Sequence, residues 1–139
     1  MVKYGLLFVL FWLVGCSGKR TDAEYQALSQ SVSSAFSLNS VSGFEVAFDS
    51  IYHGWKLDSI AANRCPFFAE YEKSTKGIGV KNATQCYESA LKRDVFFIVS
   101  RHYSEKQECL AYLTVLDRNG FALYDKEFGE ECHKQINGP

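Results

Sequence analysis

Apolar positions fall along this chain in four rhythms, and each predicts a different kind of element. The first is an unbroken run, Gly5 to Val14, which stops at Ser17-Gly18-Lys19-Arg20. A spanning helix needs ~20 apolar residues, and this run is about half that. The second recurs at helical spacing: Tyr25, Leu28, Val32, Ala35 and Phe36 build one stripe, while Gln26, Ser29, Gln30 and Ser33 take the opposite side. Thr21 and Glu24 have the spacing of a capping box, so a helix is predicted to start there. The serines between Ser29 and Ser42 also suit a flexible tether, which would move the start of the folded domain to about Gly43.

The third rhythm has a period of two. Phe44, Val46 and Phe48 alternate with Glu45, Ala47 and Asp49, which predicts a half-buried strand, and Ile51 to Leu57 continues it through Tyr52 and Trp55 after a bend at Asp49-Ser50. Asp58 is placed to cap a short helix from Ser59 towards Cys65, with Pro66 ending it or opening a further turn, Phe67 to Lys73. Ser74, Thr75, Gly77 and Gly79 among three lysines mark 73–82 as a loop. No complete phosphate-loop pattern follows Gly77-Ile78-Gly79. Asn82 then suits the cap of a helix from Ala83 to Arg93, with Cys86, Tyr87 and Ala90 turned inward.

The fourth rhythm is dense. Val95 to Tyr103 and Cys109 to Leu116 are rich in aromatic and β-branched residues and predict two strands. Phe96-Phe97-Ile98-Val99 has no polar interruption, which predicts a central strand covered on both faces. Asn119-Gly120 predicts a two-residue type I′ hairpin, placing Leu116 opposite Leu123 and Cys109 opposite Glu130. The fold class is therefore α+β: a small single domain over 21–139 with an N-terminal helix and a mainly antiparallel sheet ending in a hairpin.

Composition narrows the partners and the compartment. Eleven Phe, eight Tyr and two Trp supply a core, and only two prolines occur, which argues against long disordered segments. A net charge of −1 leaves no nucleic-acid footprint. Apart from Cys16, the cysteines are Cys65, Cys86, Cys109 and Cys132, an even set in which bridges are the simplest account. With 20, 22 and 22 residues intervening between successive cysteines there is no CxxC pair, so zinc is not expected. The hairpin register brings Cys132 close to Cys109, and a bulge or curled strand end near Gly129 would close the remaining gap. The expected pairs are Cys65 with Cys86 and Cys109 with Cys132; Cys65 with Cys109 or with Cys132 stays open.

The opening of the chain has the layout of a secretory signal peptide: Lys3, an apolar run, and small Gly15 before Cys16. Leu13-Val14-Gly15-Cys16 resembles the lipobox of bacterial lipoproteins. The resemblance implies cleavage before Cys16, lipid on that cysteine, and a membrane anchor as the one covalent group. Residues 1–15 would be the signal peptide and 16–20 the lipidated cysteine with a short tether. Ser17 stands where an Asp signals inner-membrane retention in enterobacterial relatives of this pattern. An outer-membrane anchor with the domain facing the periplasm is therefore expected, and exposure at the cell surface stays open. Disulfides suit that compartment.

Nothing in the residue pattern points to catalysis or a cofactor. His53, His102 and His133 are the three histidines; the first two fall in predicted strands, and none belongs to a nucleophile elbow or zinc-helix pattern. The carboxylate pairs Glu130-Glu131 and Asp125-Glu127 sit on a predicted edge strand or its exit, where charge blocks aggregation. Tyr52, Trp55, Phe67, Phe68 and Tyr71 crowd one region of sequence, a candidate partner surface set against ordinary core packing. The expected role is non-enzymatic: a lipid-anchored protein-binding or assembly module with an envelope protein as partner, like secretion pilotins in size, lipidation and mixed fold. The alternative is an inhibitor, immunity or exclusion lipoprotein acting on a toxin, lysozyme or conjugation machinery.

Overall fold

A computed structural model describes residues 20–130 and Cys132. The predicted signal peptide, Cys16 and most of the short tether lie outside the described residues, as do Glu131 and His133. The chain forms helix α1 (Asp22–Ala35), helix α2 (Val41–Gly54), strand β1 (Leu57–Ile60), a 3-10 turn (Ala62–Arg64) and helix α3 (Phe68–Thr75). Four longer strands follow: β2 (Lys81–Ser89), β3 (Val95–Tyr103), β4 (Glu108–Asp117) and β5 (Ala122–Gly129). All five strands pair antiparallel in sequence order, a meander with β3 in the middle.

α1 starts as its sequence predicts. Thr21 Oγ1 accepts from the Glu24 amide and Glu24 Oε2 accepts from the Thr21 amide, a complete capping box. The stripe of α1 packs on the sheet through Val32 and Phe36, both buried, with Tyr25, Leu28 and Ala35 alongside. The serine-rich stretch thus belongs to the fold: Ser31 and Ser33 bond back to carbonyls of α1, and Ser40 caps α2 by accepting from the Gly43 amide.

α2 corrects the reading of residues 44–57 as strands. Phe44, Phe48 and Ile51 lie four and three residues apart, one helical face, and all three are buried; Val46, which carried the alternation, is 74% exposed. Asp58 is not a helix cap but an exposed position of β1, pairing with Glu88. The predicted helix 83–93 is also overturned: Lys81–Ser89 is β2, sandwiched between β1 and β3. Pairing on both sides satisfies its backbone and overrides weak local preference. Pro66 precedes α3, as one of its two expected roles required.

Alternation along β3 divides the core. Val95, Phe97 and Val99 face α1 and α2 and join the larger cluster; Phe96 and Ile98 face α3 and join Cys65, Cys86 and Leu116 in the smaller one. The unbroken apolar run is a central strand covered on both faces. The bridge Cys65–Cys86 ties the end of the 3-10 turn to β2 at a Cα separation of 6.2 Å. Cys109–Cys132 fastens the chain after β5 to the start of β4, with Cα atoms 5.7 Å apart. Both pairs are those expected from spacing and register.

The hairpin reaches its expected register by another route. Gly120 has φ +85°, but Asn119 does not share a positive φ, so the turn is not type I′. The Gly120 amide donates to the Asp117 carbonyl and the Asp117 amide to the Phe121 carbonyl, a three-residue loop over 118–120. That loop puts Leu116 opposite Ala122 instead of Leu123; an irregularity between Val115 and Leu116 then adds one residue on β5, and Val115 pairs with Tyr124. From there to Leu110 and Gly129 the pairing runs as the sequence predicted.

Candidate functional site

Five chain segments meet at the turn end of the sheet. The β2–β3 turn (90–94) and the β4–β5 turn (118–121) lie side by side there, because Val95 pairs with Asp117. The start of α1 joins them: Tyr25 Oη donates to Asp117 Oδ2 at 2.6 Å, and its ring lies 4.7 Å from that of Phe121. The end of α2 is held by the Ala90 amide donating to the Lys56 carbonyl. The start of α3 contributes Phe67, whose backbone is left-handed at φ +60° and whose ring lies so close to Gly120 that a Cβ there would collide with it.

Three of these segments, the start of α1 and the two turns, enclose an open cleft of about 650 Å³. Arg20, Lys92, Arg93 and Arg118 supply positive charge; Glu24, Asp94 and Asp117 oppose them; Tyr25, Leu28 and Leu91 give apolar wall. The acids of the turns are engaged internally. Arg118 Nε donates to Asp94 Oδ1 at 3.0 Å, and Asp117 Oδ1 accepts from the amides of Asn119 and Phe121 at 2.9 and 2.8 Å. Burial pushes the Asp117 carboxyl up, but the bonds from Tyr25, Phe121 and Asn119 and the Arg20 charge outweigh it, holding it below the usual range. The same bond to Asp117 raises the Tyr25 phenol. A second, shallower hollow of about 570 Å³ lies across the Tyr25–Phe121 pair, against the polar side of α1 at Gln26, Ser29, Gln30 and Ser33.

Two further polar clusters lie elsewhere. On the α3 face, His102 Nε2 is 2.9 Å from Ser100 Oγ, which is 3.1 Å from Thr84 Oγ1, while His102 Nδ1 is 3.1 Å from the Ile78 carbonyl. With Nδ1 protonated, the ring donates to Ile78 and accepts from Ser100, so the neutral imidazole is fully satisfied. Ser100 and His102 are both wholly buried, and burial lowers the imidazole pKa despite the Ile78 bond.

On the other face, Arg101 pairs with Glu45 at 2.7 Å and lies over the rings of Phe44 and Phe48. Glu108 joins them, its carboxyl raised by burial and by the Glu45 charge. The cation anchors α2 to the central strand β3, and neither cavity opens onto it.

The predicted aromatic surface is divided by the sheet. Tyr52 and Trp55 pack against the larger core under α2, whereas Phe68 and Tyr71 pack against the smaller one under α3. Burial pushes the Tyr71 phenol up. Of the five, Phe67 is the one left substantially exposed, at 50%. His53 is a surface residue in the last turn of α2, 3.4 Å from Asp49, not a strand residue. Asp125 and Glu127 do lie on an edge strand, β5, with Asp125 Oδ1 accepting from Thr114 across the pair. Among the described residues, no group of three or more His, Cys, Asp or Glu side chains is arranged to hold a metal ion. The cleft itself was not foreseen from sequence; the one local signal for it was the pair of turns carrying Lys92-Arg93-Asp94 and Asp117-Arg118.

No family model, no curated protein and no solved structure shows a significant match to this chain.

Proposed function

We propose that this chain is a lipid-anchored bacterial envelope protein that works without catalysis, as a protein-binding or assembly module held to the outer membrane on its periplasmic side. The observation that carries the reading is the order Lys3, apolar run, Leu13-Val14-Gly15-Cys16 and a short polar link, followed directly by a domain stapled by two disulfides. Anchor and staples ask for the same compartment.

Replacing Cys16 by Ser tests the anchor: palmitate labelling should vanish and the precursor should persist uncleaved, whereas normal labelling of that variant would refute it. The binding role is tested by crosslinking the lipidated protein in intact envelopes and purifying it. Recovery of one envelope protein in stoichiometric yield is expected, and recovery of none would refute an assembly function.

A further inference from the structure

The turn end of the sheet is also the end at which the chain enters the domain. Arg20 lines the cleft there, and Cys16 precedes it by four residues. At no more than ~3.5 Å per residue, even a fully extended link holds Arg20 within about 14 Å of the anchoring cysteine. If Cys16 carries lipid, this end cannot leave the bilayer surface, and its chemistry is that of an interface-seeking surface. We infer that the turn end docks on the anionic headgroup layer of the membrane that anchors the chain, with the β2–β3 and β4–β5 turns as the contact. The inference rests on the lipoprotein reading above.

Three observations support that occupant. Leu91 and Phe121 protrude from the two turns, 55% and 56% exposed, and Phe67 lies beside them at 50%. Half of the exposed large apolar side chains among the described residues thus stand at one end; Leu38, Val46 and Val80 are the others. Neither turn gains stability from showing such side chains to water, but an acyl boundary accepts them. Next to them stand Arg20, Lys56, Lys92 and Arg93, long cationic side chains able to reach phosphates while their stems stay apolar. The acids of the cleft are engaged internally: Asp94 pairs with both Arg93 and Arg118, Asp117 accepts from Tyr25 and two amides, and Glu24 accepts from the Thr21 amide. Finally, the end is stiff: the Tyr25–Asp117 and Arg118–Asp94 bonds and the Phe67 ring on Gly120 fix the turns relative to α1 and α3. Docking would therefore orient the whole domain and leave the far end, around Val80 and the β3–β4 turn, facing away from the membrane.

The test uses lipidated mature protein in vesicles of phosphatidylethanolamine and phosphatidylglycerol carrying brominated acyl chains. Leu91→Trp and Val80→Trp each add one reporter above the Trp55 background. Bromolipid should quench the Leu91→Trp reporter and leave the Val80→Trp reporter bright. The quenching should weaken in phosphatidylcholine vesicles and in a Lys92→Gln/Arg93→Gln background. Equal quenching at both positions, or none at 91, would overturn the docking. So would a blue shift of the 91 reporter without vesicles that grows with protein concentration, since a second copy would then own the surface. Mass spectrometry beforehand separates the two readings: lipidated protein without quenching at 91 overturns the docking alone, whereas absence of the lipid overturns the anchor and the docking with it.

Discussion

Asp117 is a single carboxylate that accepts three hydrogen bonds from two pieces of chain. One oxygen accepts the Tyr25 hydroxyl from α1; the other accepts two backbone amides inside the β4–β5 loop. Removing it leaves the amides of Asn119 and Phe121 and a phenol without their acceptor, and each unsatisfied group costs ~1–3 kcal/mol where water cannot replace it. Asp117→Ala should therefore lower the urea midpoint, and Tyr25→Phe, which removes one bond and keeps the ring on Phe121, should lower it less. His102 makes the complementary prediction with pH. Its folded pKa lies below that of the unfolded chain because burial penalises the imidazolium. The unfolded chain thus takes up the proton first, so stability is complete above an unfolded pKa of ~6.5 and declines as pH falls through that value towards the lower folded one. Denaturation midpoints between neutral and mildly acidic pH should follow that slope in the parent, and His102→Gln should flatten it.

Among the elements, α2 shows how a short pattern misleads. Phe44 and Phe48 satisfy a period of two and a spacing of four equally well, and only the residue between them decides. Val46 is exposed, so substitution there should be nearly neutral: Val46→Ser should shift stability by ~0.5 kcal/mol or less, and Phe48→Ala should cost ~3–5 kcal/mol. A strand with both side chains inward would make the two losses comparable, which thermal or urea unfolding of the pair distinguishes. β2 misleads in the opposite sense. Its Thr84 and Tyr87 favour a strand while Asn82, Ala83 and Glu88 do not, so its state is set by β1 and β3, which pair with it from both sides. What was legible is what depends on local chemistry: the Thr21–Glu24 cap, the unbroken β3 core run, and the bridge partners brought together by sequence neighbourhood and hairpin register. The hairpin register itself survived a wrong turn type because the extra loop residue and the bulge near Leu123 offset each other. The cleft was illegible because Arg20, Lys92 and Arg118 are remote in sequence and meet only through the antiparallel order of the sheet.

At the scale of the molecule, the two disulfides divide the labour of a small core. Their sequence separations of 21 and 23 are nearly equal, so loop-closure entropy alone would make each contribute about the same, ~3 kcal/mol. The difference lies in what each holds in the native state. Cys109–Cys132 fastens the chain end onto β4, whereas Cys65–Cys86 lies inside the smaller core, beneath Phe68 and Tyr71 of α3. That face has one eight-residue helix as its cover, too short to persist without its packing. Cys65→Ala/Cys86→Ala should therefore do two things: reduce global stability by ~3 kcal/mol and release 62–75 locally, so that amides there exchange with solvent well before global unfolding. Cys109→Ala/Cys132→Ala should cost a similar amount in denaturation while the amides of α3 stay protected. Hydrogen exchange of the two double variants checks the distinction; equal protection of α3 in both would mean that the small helix is held by the sheet alone and that the bridge beneath it acts only on the unfolded chain.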